Sequence, residues 1–357
     1  MSRPPAQNTS GRGIVTIGDV AELAGVSTAT VSRVLSGRSR GRGDSRERVL
    51  SAAQALDYRP SSVARSLKLR TTHTMGLLIT DIQNPFFPEL VRAIEDRARE
   101  HGYAVLLGNG ANDPEREGAF LELLASRRVD GVLVASSGLP HRHAQWLERA
   151  HLPTVLVNSE THDGSTPAAM SDNRGGGRLA AEHLLGLGHL RLGMVTVPLD
   201  DPAAAERLAG IRLALRSGAG RQATLHIEDC DSSVASGASA TGRLLQAHAG
   251  VTGILCYNDV VAFGALRAIR ASGRSVPRDV SVVGFDDIDL AGFAEPSLTT
   301  VAQDIVALGS WGVDTLLETL TAAPEAVGPS HFETVRLPVR LVVRATTGPA
   351  PRITWHA

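Results

Sequence analysis

The chain has 357 residues, of which 43% are hydrophobic and 20% are charged, and its formal net charge is −1. This length predicts two or three domains, and the composition is that of a globular protein rather than a disordered or fibrous one. Two cysteines, Cys230 and Cys256, are too few for a disulfide framework, and no apolar run approaches the roughly 18 residues of a membrane span. We expect a cytoplasmic protein without a membrane partner, in which residues 1–13 form a disordered leader.

The charge is distributed unevenly along the chain. Residues 1–72 contain 12 basic side chains and five acidic ones, whereas the remainder contains 24 basic and 32 acidic ones. A basic segment attached to an acidic body indicates that only the basic segment faces a polyanion.

Three short helices are predicted first, at about 16–24, 28–36 and 45–56. Apolar residues follow helical spacing, Thr16 is placed to cap the first helix, Gly25 to end it and Ser27 to cap the second. Asp44 and Glu47 have the spacing of a capping box at the start of the third helix. Two short helices joined by a glycine-centred turn form a helix-turn-helix, which can enter a DNA major groove. The alternative is an αα-corner within a larger helical domain.

From residue 73 onward, apolar strand-like runs alternate with helical stretches. The strands are predicted at 75–80, 104–107, 131–135, 154–157, 192–197, 224–227, 253–256 and 280–285, and the helices include 88–100, 115–126, 175–187 and 260–272. This alternation predicts parallel sheets covered by helices, in two subdomains that divide near residues 168–174. No dinucleotide, P-loop or nucleophile-elbow motif is present, and His141 and His143 have no third ligand. We therefore expect no catalytic residue, no metal and no cofactor.

Several motifs together resemble the LacI/GalR family of transcriptional regulators. The N-terminal part reads Asp19-Val-Ala-Glu-Leu-Ala-Gly-Val-Ser27 and Thr30-Val-Ser-Arg-Val-Leu35, and the C-terminal half contains Ser281-Val-Val-Gly-Phe-Asp-Asp287 and Leu298-Thr-Thr-Val-Ala-Gln-Asp304. The resemblance covers about residues 14–345.

The resemblance implies a fold and a domain order. A small all-α helix-turn-helix DNA-binding domain at 14–59 and a hinge helix or linker at 60–72 precede an effector-binding and dimerisation domain at 73–345. That domain is an α/β core of the type I periplasmic-binding-protein fold with two parallel-sheet subdomains. Subdomain 1 takes about 73–172 and 304–331, and subdomain 2 takes 173–303 and 332–345, including one last strand at about 335–343.

The implied macromolecular partner is a double-stranded, pseudo-palindromic operator bound by a homodimer. By helical spacing, Thr28, Ala29 and Arg33 point outward from the second helix. In the family the hinge helix inserts a leucine into the minor groove, which corresponds to Leu67 here; a plain interdomain linker is the alternative. The expected DNA-contacting residues are Thr16, Ser27, Thr28, Ala29, Thr30, Ser32, Arg33, Arg46, Val63, Ala64, Leu67 and Lys68. The basic loop at 36–43 is either a phosphate contact or a solvated loop.

The resemblance also implies a small-molecule effector between the subdomains, of which a carbohydrate fits the residues best. It assigns a packing role to one aromatic residue and polar contacts to four others. These effector-binding residues are Phe87, Asn158, Arg207, Asn258 and Asp286. For each strand-end Asp or Asn the alternative role is a turn or helix cap. Asp201 stands where nucleobase-binding members have an arginine, which weighs against a purine.

We therefore predict a ligand-responsive, sequence-specific repressor of carbohydrate-utilisation genes. An activator or dual regulator, or a regulator with a non-sugar effector, is the alternative. An enzyme is disfavoured by the missing motifs, and an exported transport binding protein would have no use for a basic helix-turn-helix.

Overall fold

The computed structural model describes residues 15–35, 43–58, 71–135, 150–160, 164–216, 218–321 and 332–351. The chain divides into two compact units, Met1–Thr72 and His73–Ala357, and each is described by itself. The leader predicted at 1–13 and the basic loop at 36–42 lie outside the described residues. The same is true of the hinge predicted at 60–72, except for its last two residues.

The N-terminal unit contains three helices, α1 (Ile17–Ala24), α2 (Thr28–Leu35) and α3 (Asp44–Ala55). Thr16 caps α1 in a capping box with Asp19, and Gly25 ends α1 with a left-handed φ of 62°. Ser27 Oγ accepts a hydrogen bond from the Thr30 amide at 3.2 Å, which caps α2. These three predictions from sequence are confirmed. The core that the helices share consists of Val20, Ala21, Ala24, Val31, Val34, Val49, Ala52 and Ala53.

The capping box predicted at the start of α3 is wrong. The residue before the helix is Gly43, which makes no side-chain cap, and Asp44 is already the first helical residue. Asp44 instead forms an ion pair with Arg48 one turn along, at 3.4 Å. The shift of one residue also places Glu47 too far into the helix to reach back to the N-cap amide.

The second unit contains two six-stranded sheets, of which the first is entirely parallel. Its strands are β1 (Thr74–Ile79), β2 (Ala104–Asn109), β3 (Gly131–Ala135), β4 (Thr154–Val157), β5 (Ala168–Ser171) and β11 (Val335–Leu337), in the order β11-β5-β4-β3-β1-β2. Helices α4 (Phe86–Glu100), α5 (Pro114–Ser126) and α11 (Ile305–Thr321) pack against this sheet. The chain thus returns to the first sheet at α11.

The second sheet is parallel except for its last strand, β12, which is antiparallel to β10. Its strands are β6 (Arg191–Thr196), β7 (Thr224–Asp229), β8 (Gly253–Cys256), β9 (Ser281–Asp286), β10 (Thr299–Ala302) and β12 (Arg340–Val342), in the order β12-β10-β9-β8-β6-β7. Its helices are α6 (Asn173–Gly186), α7 (Pro202–Leu215), α8 (Val234–Ala247), α9 (Asp259–Ala271) and the short α10 (Asp289–Phe293). A 3₁₀ turn covers Gly218–Gln222.

Two features of the sheets differ from the sequence-based expectation. The single strand expected at 335–343 in the second subdomain is two strands, and the first of them, β11, joins the first sheet beside β5. Pro338, which has no amide hydrogen to donate to a strand ladder, follows β11 and ends it. In addition, β5 and β10 were not predicted, because their sequences, Ala168-Ala-Met-Ser and Thr299-Thr-Val-Ala, each contain only one large apolar residue.

Candidate functional site

The first candidate surface is the outer face of α2 in the N-terminal unit. Thr28, Ala29 and Arg33 are all exposed there. The Arg33 Nε donates a hydrogen bond to the Ala29 carbonyl oxygen at 3.3 Å, so the start of the arginine side chain lies along its own helix. The described part of this face therefore offers two small side chains and one long cation.

The other residues predicted to contact DNA have more varied surroundings. Thr16 and Ser27 serve as helix caps, so their hydroxyl groups are already hydrogen-bonded within the unit. Thr30 and Ser32 are half-buried, and Arg46 is exposed on α3. The remaining four predicted contacts lie outside the described residues: Val63, Ala64, Leu67 and Lys68.

The second candidate site is a cavity of about 430 Å³ at the carboxyl ends of the strands of both sheets. Ligands of open α/β folds bind at this end of the strands. The structure brings all five predicted effector residues to the wall of this one cavity: Phe87, Asn158, Arg207, Asn258 and Asp286.

The first subdomain contributes Phe87 and Asn158 to the cavity. Phe87 lies in the first turn of α4, is 8% exposed and meets Phe86 edge to face, with 5.3 Å between the ring centroids. Asn158 directly follows β4 and has a left-handed φ of 54°, a conformation that asparagine tolerates better than most residues. Both side chains are therefore positioned by the end of an element rather than by a long loop.

Arg207 on α7 is the basic residue among the described lining of the cavity. Its guanidinium carbon lies 3.6 Å from the ring centroid of Phe285 and 4.7 Å from that of Tyr257. Its Nε donates to Asn173 Oδ1 at 2.9 Å, and its Nη1 donates to the carbonyl oxygen of Tyr257. Helix α6 crosses α7 closely here, since a Cβ at Gly177 would collide with the Arg207 carbonyl oxygen. The guanidinium is thus held in place by groups of the chain itself.

Asp286 ends β9 and is 4% exposed. Its φ of 116° lies in a region that residues other than glycine rarely adopt. One carboxylate oxygen accepts a hydrogen bond from Gln303 Nε2 at 2.6 Å. Burial raises the pKa of Asp286 to about 7, against the opposing effects of the Arg207 charge and the Gln303 hydrogen bond. This carboxyl group therefore titrates near neutral pH.

The acidic residues that follow Asn258 and Asp286 in sequence have structural partners. Asp287 forms an ion pair with Arg344 at 2.6 Å. Asp259 is fully buried and accepts hydrogen bonds from the Thr300 hydroxyl at 2.5 Å and the Ile288 amide at 3.0 Å. Burial raises its pKa above the ordinary value as well. In each pair of neighbours, the first residue lines the cavity and the second stabilises the fold.

Asn258 has both of the roles that its sequence position allows. Its Oδ1 accepts a hydrogen bond from the Val261 amide at 2.9 Å, which caps α9. Its Nδ2 is buried and has no hydrogen-bond partner among the described residues, and the same holds for Gln303 Oε1. Both residues line the cavity, but these two atoms are themselves buried, so a ligand would pair with Asn258 Nδ2 or Gln303 Oε1 only after the side chain turned towards it.

Sequence reasoning gave no role to Tyr257 or Gln303. Tyr257 stands directly before Asn258, and an aromatic residue at a predicted strand end could have indicated a cavity wall. Gln303 directly follows β10, so its place became recognisable only with that four-residue strand. Both contact predicted effector-binding residues: the Tyr257 ring packs against Arg207, and Gln303 Nε2 donates a hydrogen bond to Asp286.

The described residues contain no metal-binding cluster and no membrane-spanning helix. No group of three His, Cys, Asp or Glu side chains there could hold a metal ion. None of the described helices is both long and apolar enough to cross a bilayer. The pair His141 and His143 lies outside the described residues.

Two family models match most of the chain. The model described as "Bacterial regulatory proteins, lacI family" matches residues 16–61. The model described as "Periplasmic binding proteins and sugar binding domain of LacI family" matches residues 72–342.

Similar curated proteins include two repressors. The ribose operon repressor of Halalkalibacterium halodurans is 38% identical, over 94% of this chain and 97% of its own length. The HTH-type transcriptional repressor PurR of Aliivibrio salmonicida is 36% identical, over 85% of this chain and 92% of its own.

Similar solved structures include a lac repressor dimer bound to operator and the anti-inducer ONPF. It is 32% identical with a TM-score of 0.82, over 94% of this chain and all of that one. A LacI family regulator of Enterococcus faecium with bound ribose is also 32% identical, with a TM-score of 0.68, over 77% of this chain and 99% of that one. The chain therefore belongs to the LacI family of bacterial regulatory proteins, with an N-terminal helix-turn-helix and a core of the type that binds sugars.

Proposed function

We propose that this chain is a sugar-responsive transcriptional repressor, which binds a pseudo-palindromic operator as a homodimer in the cytoplasm and has no catalytic activity. The observation that carries the sugar-response part of this proposal is the cavity between the two sheets, whose wall includes all five predicted effector residues. Sugar hydroxyl groups both donate and accept hydrogen bonds, so they suit a wall that carries carboxylate, amide and guanidinium groups.

The DNA-binding half rests on α2 and its exposed face. Arg33 is long enough to reach a base edge in the major groove, and an arginine paired with guanine is the most common specific contact of this kind. Thr28 and Ala29 are small and allow the helix to approach the bases closely. A two-fold dimer places one such helix in each half-site of a pseudo-palindrome.

Sugar binding and DNA binding are coupled through the cavity. A sugar held between the two subdomains stabilises one relative orientation of the sheets over another, and DNA binding then depends on that orientation. Such a coupling between two sites is typically worth about 1–3 kcal/mol, which corresponds to a change of about 5- to 150-fold in operator affinity. The names of the ribose operon repressor and the ribose-bound regulator support D-ribose as the first compound to test.

The test begins with selection of an operator from random duplex DNA by the full-length chain. Operator affinity is then measured by fluorescence anisotropy, without sugar and with a panel of pentoses and hexoses. We expect specific binding without sugar and at least a fivefold loss of affinity with one of them. An operator complex that no sugar in the panel changes would contradict the sugar response, and no enrichment of any sequence would contradict the DNA-binding half.

A further inference from the structure

Most of the charged residues that line the cavity are acidic. Its described lining includes Arg207 and five aspartates: Asp81, Asp200, Asp201, Asp231 and Asp286. Asp81 belongs to the first subdomain and the other four belong to the second, so carboxylates stand on both walls. Asp200 and Asp231 are exposed, which places them where the cavity meets solvent.

The one guanidinium is poorly available to an anion. Its Nε and Nη1 already donate to Asn173 and to the Tyr257 carbonyl oxygen, and two aromatic rings flank its faces. A phosphate group normally needs several cationic or amide donors converging on it. The described lining offers no second cation with which Arg207 could form such a cluster.

Helix N-termini are the other common binding sites for anions. In three helices that border this cavity, one amide of the first turn already donates to a side chain of the chain itself. Asp201 accepts from the Ala204 amide at 2.8 Å at the start of α7, and Asn258 caps α9. Asn84 accepts from the Phe86 amide at 3.1 Å at the start of α4. A carboxylate at Asp201 also cancels the positive end of the α7 dipole.

We propose that the cavity takes an uncharged, hydroxyl-rich effector and excludes phosphorylated and other anionic sugars, with Asp200, Asp201 and Asp231 as the residues that set this specificity. The inference rests on the proposed sugar response and names the class of sugar. The same five carboxylates that accept hydroxyl hydrogens repel a phosphate, which carries nearly two negative charges at neutral pH.

The size of the effect follows from Coulomb's law in water. Two unit charges about 7 Å apart interact by about 0.6 kcal/mol at the dielectric constant of water, and salt reduces this value at exposed positions. A dianionic phosphate doubles this value, which corresponds to about sevenfold in affinity, or about fivefold after the residual salt screening, for each of the exposed carboxylates Asp200 and Asp231. Removing both the Asp200 and the Asp231 charge therefore lowers the preference for a free sugar over its phosphate by about 20-fold.

The experiment compares matched pairs of ligands on the full-length chain by isothermal titration calorimetry at pH 8 and low salt. The pairs are D-ribose with ribose 5-phosphate and D-glucose with glucose 6-phosphate. We expect the unphosphorylated member of a pair to bind at least 50-fold more tightly than its phosphate. In the Asp200→Asn/Asp231→Asn variant this ratio should fall about 20-fold, and added salt should also reduce it.

A matched control is Asp229→Asn. Asp229 is exposed near Asp231 at the end of β7 but is not part of the cavity lining, so this change should leave the ratio within about twofold of its original value. A phosphorylated sugar that binds as tightly as its free form, or a ratio that the double variant does not change, overturns the inference and leaves the sugar response intact. Failure of every sugar, together with intact operator binding, overturns the proposed sugar response itself.

Discussion

The two candidate sites of this molecule are built in opposite ways. The surface of α2 consists of exposed side chains on an eight-residue helix, and the residues that shape it lie within one short stretch of sequence. The cavity gathers side chains from positions between 80 and 303, and its central residues Arg207 and Asp286 are buried. Local spacing therefore determines the first site, whereas burial and long-range packing determine the chemistry of the second.

The largest expected effect tests the buried site. Asp286→Asn keeps the shape of the side chain but removes its charge, and a hydrogen bond to a charged group contributes about 1.5–3 kcal/mol. We expect sugar affinity to fall about 100-fold in calorimetry, with operator affinity unchanged. Glu122→Gln, an exposed change on α5, serves as the control and should alter neither. A loss of operator affinity in Asp286→Asn would show that the two regions are not separable in this way.

The next effect tests the exposed site. Arg33→Ala should lower affinity for the selected operator about 30-fold, because one well-placed base contact discriminates by about 1–3 kcal/mol. Affinity for random DNA should fall much less. The control is Arg48→Ala on α3, which removes an arginine paired with Asp44 and should affect both DNAs equally. Equal losses on both DNAs in Arg33→Ala would exclude a base-reading role.

A third effect concerns pH and distinguishes the two sites directly. If the sugar binds to ionised Asp286, with its pKa of about 7, sugar affinity should fall about tenfold between pH 8 and pH 6. Operator affinity without sugar should show no step in that range that depends on Asp286. Calorimetry across this range, with Asp286→Asn as the control that removes the step, provides the measurement.

The same raised pKa has a consequence for stability with a defined sign. Because the folded pKa exceeds the unfolded value of about 3.9, the protonated carboxyl favours the fold. The corresponding contribution to the free energy of unfolding is complete below about pH 4 and is lost as the pH rises to about 7. Asp286→Asn should therefore unfold at higher denaturant concentration than the parent chain at pH 8. An unchanged or lower midpoint would contradict the buried, titrating carboxyl.

The smallest effect tests the local construction of the N-terminal unit. Ser27→Ala removes the cap of α2 and should destabilise that helix by about 1 kcal/mol, the usual value for an N-cap. Hydrogen exchange of the α2 amides is the measurement. Ser45→Ala is the matched control, because Gly43 rather than a side chain precedes α3. If Ser27→Ala and Ser45→Ala changed the exchange of the α2 amides equally, the Ser27 cap would not stabilise α2.

The sequence predicts local features well and long-range ones less well. Thr16, Gly25 and Ser27 were correctly assigned because a cap or a helix end depends on a few adjacent residues. The choice of Asp44 over Gly43 as the N-cap failed by one residue, since a glycine cap leaves no side-chain signal.

For the cavity, motif resemblance located its five predicted residues but did not give their environments. Nothing in the sequence distinguishes Asp286, whose pKa is raised by burial, from Asp287, which forms an ion pair with Arg344. The φ of 116° that turns the chain between them is set by the end of β9 and its packing. Such differences depend on which groups lie nearby in space, and separated parts of the chain supply those groups.

The division of the last strand has a mechanical consequence. The three places where the chain passes between the sheets follow β5, β10 and β11, all at the same edge of the sheets. Only Pro338 and Val339 join β11 to β12, so this edge forms a hinge axis, about which each sheet can rotate with its strand ladder intact. With strands about 4.8 Å apart, β2 and β7 lie about 24 Å from the axis, and a rotation of about 10° displaces them by about 4 Å. Such a rotation would widen the cavity most on the side of β2 and β7 and least at the edge where the chain crosses between the sheets.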